Sequence, residues 1–169
     1  NKNNDIIPIS YYASIYVMNK KASPNTFITN RRASHDYIIH EKFEAGLALE
    51  GWEVKAIRSN RGQIQEGYIS IQDSECWLVG SNITPLDSTV QHSNPDPTRK
   101  RKLLLHKKEI TKLYGQHKIK GYTIIPLKVY LSNRRFKIAI ALASGKKLHD
   151  KRQADKEKTW KRDKLRLQK

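Results

Sequence analysis

The stretch IPLKVYLSNRRFKIAIAL (Ile125–Leu142) contains two runs in which large apolar residues occupy every second position. These residues are Ile125, Leu127, Val129 and Leu131 in the first run and Phe136, Ile138, Ile140 and Leu142 in the second. A period of two is typical of a strand that buries one face. The polar segment Ser132–Arg135 between the runs suits a hairpin loop. The stretch therefore predicts two antiparallel strands whose large apolar residues share one core face.

Upstream of this hairpin, other short segments have the pattern of strands. Tyr37–His40 is apolar and aromatic, and Trp52–Arg58 alternates apolar and polar residues with one exception. Gly67–Gln72 and Cys76–Val79 flank Asp73-Ser74, a pair of residues that favours a turn. These segments predict two further strands and a second hairpin.

Two segments favour short helices. Glu41–Leu49 combines helix-forming residues with spaced apolar ones, and Gly51 suits its end. Lys107–Tyr114 has an apolar face and is followed by Gly115, which we expect to end it. Asn82–Pro97 contains three prolines and reads as a long loop. Together the segments predict a mainly β fold, a small antiparallel barrel of the OB type with flanking short helices.

The chain divides into three parts by composition. Residues 1–29 are rich in Asn and Ser and are expected to form a flexible extension, in which Met18 is the hypothesised natural start. Residues 30–144 form the expected folded body. Residues 145–169 carry 11 Lys and Arg against 4 Asp and Glu, a net charge of +7. Because ordering the backbone costs about 1–2 kcal/mol per residue, so polar a tail is expected to be disordered until a partner makes it helical.

The charge of the whole chain points to a polyanionic partner. Lys and Arg total 33 against 16 Asp and Glu, which gives a net charge of +17 and a pI of about 10.0. Nucleic acid is favoured over a membrane because the sequence lacks a run of about 20 apolar residues. Cys76 is the only cysteine, so an internal disulfide and a multi-cysteine zinc site are excluded. It is expected to pack as a small apolar residue in a protein of the reducing cytoplasm.

Two polar clusters are candidates for contact with nucleic acid. The first consists of Arg99, Lys100, Arg101 and Lys102, followed by Lys107 and Lys108. Cations at this density predict phosphate contacts with release of counterions, although a solvated charge run is the alternative. The second, Asn30–His35, offers cations with amide and hydroxyl groups, and its alternative is a flexible basic approach to the first strand.

Signs of catalysis are missing from the sequence. The six histidines are scattered, and neither an HExxH motif nor a P-loop is present. Glu44 and Glu53 form a conceivable carboxylate pair, but nothing in the sequence predicts a raised pKa for either. We therefore expect a binding protein without a catalytic site, metal or cofactor.

Four stretches carry a family resemblance. They are FEAGLALEGWEVK (Phe43–Lys55), GSNITP (Gly80–Pro85), DPTRKRKLLL (Asp96–Leu105) and GKKLHDKR (Gly145–Arg152). In this order the chain resembles the small protein B (SmpB) family, the tmRNA-binding, or SsrA-binding, proteins of bacterial trans-translation. The resemblance runs from about Asn30 to the C-terminus.

The resemblance implies an OB-type, monomeric, cytoplasmic protein without enzymatic activity. Its body is expected to grip the tRNA-like domain of tmRNA, with elongation factor Tu as co-carrier of the aminoacylated RNA. Its tail is expected to pass from the decoding centre into the vacant mRNA channel of a stalled ribosome. The alternative is a general nucleic-acid-binding OB protein, which usually presents exposed aromatic residues to single strands. A nuclease is disfavoured because no carboxylate cluster for metal ions is apparent.

Site residues follow from the resemblance position by position. Glu44, Leu104 and Lys137 match residues of the tmRNA-binding surface, although an ion pair for Glu44 and core packing for Leu104 are the alternatives. The matching polar N-terminal residues are Asn30, Arg32 and His35. The matching tail residues are Gly145, Lys146, Lys147, His149, Asp150, Lys151, Arg152 and Trp160. Leu167-Gln168 departs from the two apolar residues common in relatives, so helix docking is expected to be weaker there.

Overall fold

A computed structural model describes residues 25–87, 94–119, 121–147, 156, 159 and 160. Its strands are β1 (Thr26–Thr29), β2 (Tyr37–Leu47), β3 (Gly62–Gln63), β4 (Tyr68–Gln72), β5 (Glu75–Val79), β6 (Asn82–Ile83), β7 (Arg101–Leu104), β8 (Tyr122–Ser132) and β9 (Arg135–Gly145). The helices with both ends among these residues are α1 (Ala33–Asp36), α2 (Gly51–Arg58) and α3 (Lys107–His117). Within the described ranges no helix is long and apolar enough to cross a membrane.

The main sheet is antiparallel, in the order β1-β8-β9-β2-β7-β5-β4. Strand β4 also lies close to β8, so the sheet curls back toward itself around the main core. A short ladder of β3 and β6 stands beside it. The prediction of a mainly β, antiparallel, barrel-like fold with short helices is confirmed.

Both predicted hairpins are present, each with a two-residue loop. Asn133 and Arg134 connect β8 to β9 with φ of 50° and 61°. Asp73 and Ser74 connect β4 to β5 with φ of 50° and 60°. Two consecutive residues with positive φ give a turn whose twist matches that of the flanking strands.

The single core face predicted for β8 is wrong. A register shift between Pro126 and Lys128 reverses the direction of the preceding side chains. Val129 packs in the main core, whereas Ile125 packs with Ala141 and Ala143 in a second small cluster on the other side.

Two adjacent elements exchange their predicted types. Glu41–Leu49 was expected to be helical, but β2 continues through Leu47 because it pairs with β9 and then with β7. Trp52–Arg58 was expected to be a strand, but it lies in α2, which begins at Gly51 instead of ending there. The backbone N–H of Glu50 donates to Glu53 Oε2 at 2.7 Å, which stabilises the first turn of this helix.

The folded body begins earlier than residue 30. Strand β1 pairs with β8, and Ile28 is buried in the core. The Phe27 ring lies edge-on to Phe136 with centroids 5.5 Å apart. Apolar burial thus places residues assigned to the flexible extension inside the sheet, which corrects that boundary. Met18 lies outside the described residues.

Helix α3 and the loop before β7 agree with the sequence pattern in part. The predicted helix Lys107–Tyr114 is confirmed, but it runs through Gly115 to His117. Gly115 is exposed with open space around it, so nothing at this position requires the helix to stop. In the predicted loop Asn82–Pro97, the first two residues form β6, and residues 88–93 are outside the described part.

Candidate nucleic-acid interface

A row of paired residues crosses four strands on the outer face of the sheet. Leu104 of β7 pairs with Gly46 of β2, which pairs in turn with Lys137 of β9. Lys137 pairs with Tyr130 of β8. The sequence neighbours Ala45, Leu103, Val129 and Ile138 are buried in the core. Because successive side chains of a strand point to opposite faces, the row faces outward.

Glu44 lies on the same face, two residues before Gly46. Its Oε1 accepts a hydrogen bond from Lys137 Nζ, and its Oε2 accepts one from the Tyr130 hydroxyl. Two hydrogen bonds hold the pKa of Glu44 below its usual value, and the one from Lys137 has a larger effect than the one from Tyr130. Burial is the largest cause of the raised pKa of Tyr130, and the hydrogen bond with the Glu44 carboxylate raises it further. Lys128 Nζ stands 5.0 Å from the centre of the Tyr130 ring.

This cluster, Glu44, Gly46, Leu104 and Lys137, borders an open groove of about 890 Å³. Leu104 is 57% exposed there, so its side chain offers an apolar surface to a ligand. The structure thus brings together the three residues that the resemblance assigned to the tmRNA surface. Core packing of Leu104 is excluded, whereas the ion pair of Glu44 exists on the exposed face.

Sequence reasoning missed three cations of this groove. Arg134 and Arg135 lie at the loop between β8 and β9, and Arg58 ends α2. The loop residues carried a usable signal, since two consecutive arginines at a hairpin tip must be exposed. Arg58 did not, because its segment was taken for a strand.

The basic cluster Arg99–Lys102 has a different role from the one predicted. Arg101 and Glu53 each have a fully buried side chain, and Arg101 Nε lies 2.7 Å from Glu53 Oε1. Arg101 also donates to Ser81 Oγ at 2.9 Å. Arg99 Nε donates to the same Glu53 oxygen at 3.0 Å. The phosphate contact predicted for Arg101 is therefore wrong, because its guanidinium is buried and hydrogen-bonded within the protein. Most of the Arg99 guanidinium is hydrogen-bonded to the same carboxylate.

The two lysines of that cluster are more accessible. Lys100 is exposed, whereas Lys102 forms an ion pair with Glu75 in which both side chains are 40% exposed. A pair this exposed is exchangeable with phosphate at little cost.

The second polar cluster is remote from the groove. Tyr37, just after α1, pairs with Gly145, whereas Gly46 pairs with Lys137, so the two sites are separated by roughly 30 Å of strand. Asn30 is buried: its Oδ1 accepts from the backbone N–H of Arg32 and of Ala33, each at 3.1 Å. The nucleic-acid contact predicted for the Asn30 side chain is thus wrong, because that side chain shapes the turn into α1.

Arg32 and His35 lie on this second site and keep exposed surface. Arg32 Nη1 is 2.9 Å from Glu66 Oε1, and its Nε is 3.6 Å from Asp36. His35 Nδ1 is 3.0 Å from the Asp36 carboxylate. Both side chains thus already contact carboxylates within the protein.

The tail leaves the body at the same place. The Lys146 N–H donates to the Asp36 carbonyl and Lys146 Nζ to the Ser34 carbonyl, both at 2.9 Å. Lys147 is exposed. Trp160 is helical and 65% exposed. The predicted tail residues His149, Asp150, Lys151 and Arg152 lie outside the described residues.

Two observations bear on chemistry elsewhere in the molecule. In the part of the chain that the structure describes, no group of three or more His, Cys, Asp or Glu is placed to hold a metal ion. Cys76 is fully buried, and burial raises the pKa of its thiol to about 11. It packs as the small apolar residue that the sequence predicted.

Comparison with known proteins decides the family. The family described as "SmpB protein" matches residues 27–169. This chain belongs to the SmpB family. This chain is 52% identical to the SsrA-binding protein of Paraburkholderia xenovorans (strain LB400), and the match covers 84% of this chain and 96% of that protein. It is 53% identical, with the same coverage, to the SsrA-binding protein of Ralstonia nicotianae (strain ATCC BAA-1114 / GMI1000).

A solved structure shows the same fold. It is described as "tmRNA-SmpB: a journey to the center of the bacterial ribosome", and its matching chain is 44% identical with a TM-score of 0.59. The match covers 71% of this SmpB family member and 84% of that chain.

Proposed function

We propose that this chain binds tmRNA and acts as a non-enzymatic adaptor in the rescue of stalled ribosomes. The observation that carries the proposal is the outer row of the sheet, where Glu44, Leu104 and Lys137 meet beside one groove although they lie far apart in sequence. Family membership and the SsrA-binding relatives support it.

The chemistry of the groove supports a folded RNA as ligand. Exposed Leu104 offers an apolar surface to an unstacked base, and the groove's arginines offer charge to phosphates. Lys137 Nζ donates one hydrogen bond to Glu44, and its ammonium group has further donors for a phosphate oxygen. The overall charge of +17 supplies the long-range attraction that brings a polyanion to this surface.

The tail has a separate task in the proposal. It leaves the body at α1, at the far end of β2 from the groove, which supports separate binding sites for tmRNA and the tail. The tail residues Gly145–Arg152 and Trp160 contact the ribosome at the decoding centre and in the empty mRNA channel. Elongation factor Tu accompanies the aminoacylated tmRNA, and the adaptor acts as a monomer in the cytoplasm.

Competition binding tests the proposal. Labelled tmRNA is bound to the full chain at one stated salt concentration and displaced by unlabelled tmRNA or by unstructured RNA of equal length. We expect tmRNA to compete at far lower concentration. Equal competition would support a general nucleic-acid-binding OB protein instead and overturn the proposed function.

Lys137→Ala supplies the site-specific arm of this experiment. Loss of a charged hydrogen-bond donor is expected to weaken tmRNA binding about tenfold or more. Lys112→Ala is the matched control, because Lys112 also forms an exposed ion pair with a β2 glutamate, Glu41, but away from the groove. Equal losses in the two variants would show that the groove is not the tmRNA site.

A further inference from the structure

The groove is unusual for an RNA site because carboxylates, those of Glu44 and Glu109, are among its lining groups. A carboxylate repels phosphate, so a direct contact of Glu44 with RNA has to be with a hydrogen-bond donor of the RNA. An ionised carboxylate has two oxygens and accepts hydrogen bonds only. Groups that donate two adjacent hydrogen bonds are therefore its natural partners.

The carboxylate is fixed in place before any ligand arrives. Lys137 donates to one oxygen and Tyr130 to the other, so each oxygen keeps capacity for one further hydrogen bond. Glu44 and Lys137 line the groove, whereas Tyr130 is absent from its lining and holds Glu44 from outside. The held carboxylate therefore offers acceptors to the groove without needing to reorient.

Space for a base exists next to this carboxylate. Gly46 contributes no side chain to the row between Leu104 and Lys137. A Cβ added at Gly46 would stand 3.2 Å from Leu104 Cβ, tighter than ordinary van der Waals contact. The exposed Leu104 side chain thus lies beside a position that has no side chain. A flat base can pack on the apolar surface that this leaves open.

Only one of the four RNA bases matches the two acceptors. The Watson–Crick edge of guanine presents N1–H and the N2 amino group side by side, both as donors. Adenine and cytosine each pair a donor with a ring-nitrogen acceptor on that edge, and uracil flanks its single N–H with carbonyls. Unpaired bases in RNA loops are read on this edge while one face packs on the protein.

Three arginines of the same groove are candidates for contact with the phosphates of the nucleotide. Arg58, Arg134 and Arg135 line the same groove, and none of them forms an ion pair within the described residues. A guanine edge directed at Glu44 therefore leaves its backbone within a cationic rim.

We propose that the groove binds one unpaired guanine, with the Glu44 carboxylate accepting from its N1–H and N2 amino group and Leu104 packing on its face. This rests on the proposed function and names the element of the folded RNA that the site reads. Gly46 and Leu104 form the surface on which the base packs, and the acceptors of Glu44 determine which base is preferred.

Stem–loop competitors test the guanine contact. Labelled tmRNA is bound to the full chain and displaced by stem–loops whose loops are all uridine except for one central nucleotide. That nucleotide is guanosine, inosine, adenosine or 2′-deoxyguanosine. We expect the guanosine loop to compete about tenfold or more better than the adenosine loop, with inosine between them because it lacks the N2 amino group. The deoxyguanosine loop should match guanosine.

Glu44→Gln is the decisive variant, since its amide replaces one acceptor by a donor while preserving size. The preference for guanosine over adenosine should disappear. Glu41→Gln is the matched control, because it removes the same charge from an exposed β2 carboxylate outside the groove, and it should keep the preference.

Several results would overturn the proposal. They are equal competition by all loops, failure of the guanosine loop to compete, a deoxyguanosine loss as large as the adenosine loss, and persistence of the preference in Glu44→Gln. Each of these leaves the proposed function intact as long as tmRNA itself outcompetes unstructured RNA. Failure of that separate comparison would instead remove the proposed function.

Discussion

Arg101 and Glu53 form an ion pair in which neither side chain has exposed surface, with Arg101 Nε 2.7 Å from Glu53 Oε1. The pair joins β7 to α2, elements far apart in sequence. Arg101 Nη2 also donates to the Pro97 carbonyl at 2.9 Å. The partly exposed Arg99 donates to the same Glu53 carboxylate. A cation that looked like an RNA contact is thus part of the interior of the protein.

Removal of Arg101 should therefore destabilise the protein. Arg101→Ala removes the fully buried member of the two arginines that contact the buried Glu53 carboxylate, which is expected to lower the free energy of unfolding by about 3–5 kcal/mol. Urea denaturation followed by circular dichroism measures this. Lys102→Ala is the adjacent control and should cost about 0–1 kcal/mol, because its ion pair with Glu75 is exposed. Arg101→Lys keeps the charge but not the fork of donors, and should also be clearly destabilised. Equal stability of the two alanine variants would contradict the assignment.

Tyr130→Phe should change the titration of Glu44. The variant removes one hydrogen bond that favours the ionised carboxylate, so the pKa of Glu44 should rise toward its ordinary value of 4.5. Carbon-13 NMR of the side-chain carboxyl measures it. Because the folded pKa is lowered, the contribution of ionised Glu44 to stability is present above about pH 4.5 and is lost as pH falls through the folded value. An unchanged Glu44 pKa in the variant would argue against the hydrogen bond.

Cys76 should be unreactive in the native protein. With a thiol pKa of about 11, only about one thiol in a thousand is ionised at pH 8, and the side chain has no exposed surface. Iodoacetamide labelling followed by mass spectrometry should be slow without denaturant and rapid in urea. Labelling at the same rate in both conditions would mean that the β5 region opens readily.

Deletion of Asp150–Lys169 should separate the two proposed tasks. The truncated chain keeps the groove and its cations, so it should retain most of its tmRNA affinity while tagging of incomplete peptides on stalled ribosomes is lost. The measurements are tmRNA binding and a reconstituted tagging assay. If the deletion weakens tmRNA binding as much as Lys137→Ala does, body and tail do not have separate roles.

Trp160 allows a finer test of the tail. Its side chain is 65% exposed. Trp160→Ala is expected to weaken tail binding to the ribosome by about 1–3 kcal/mol. Trp160→Phe, which keeps an aromatic face, should recover part of that loss. Normal tagging by the alanine variant would exclude stacking.

Short-period patterns in the sequence correctly predicted much of the sheet. The alternation in Phe136–Leu142 and the turn residues Asp73-Ser74 depend on contacts between near neighbours, so they are readable from the chain alone. Glu41–Leu49 was misread because helix propensity is a weak preference that pairing with β9 and β7 overrides. Trp52–Arg58 was misread because a period of two and a helical repeat both fit so short a segment, and the buried Glu53, Ala56 and Ile57 follow the helical one.

The candidate site divides in the same way. The excess of positive charge predicted a polyanionic partner, and the family resemblance named Glu44, Leu104 and Lys137, because charge and motif belong to the sequence itself. Only the tertiary structure decided which cations face solvent, since burial depends on partners distant along the chain. Strand pairing placed Gly46 between Leu104 and Lys137, and the tertiary fold buried Arg101 in an ion pair with Glu53, where it cannot contact RNA.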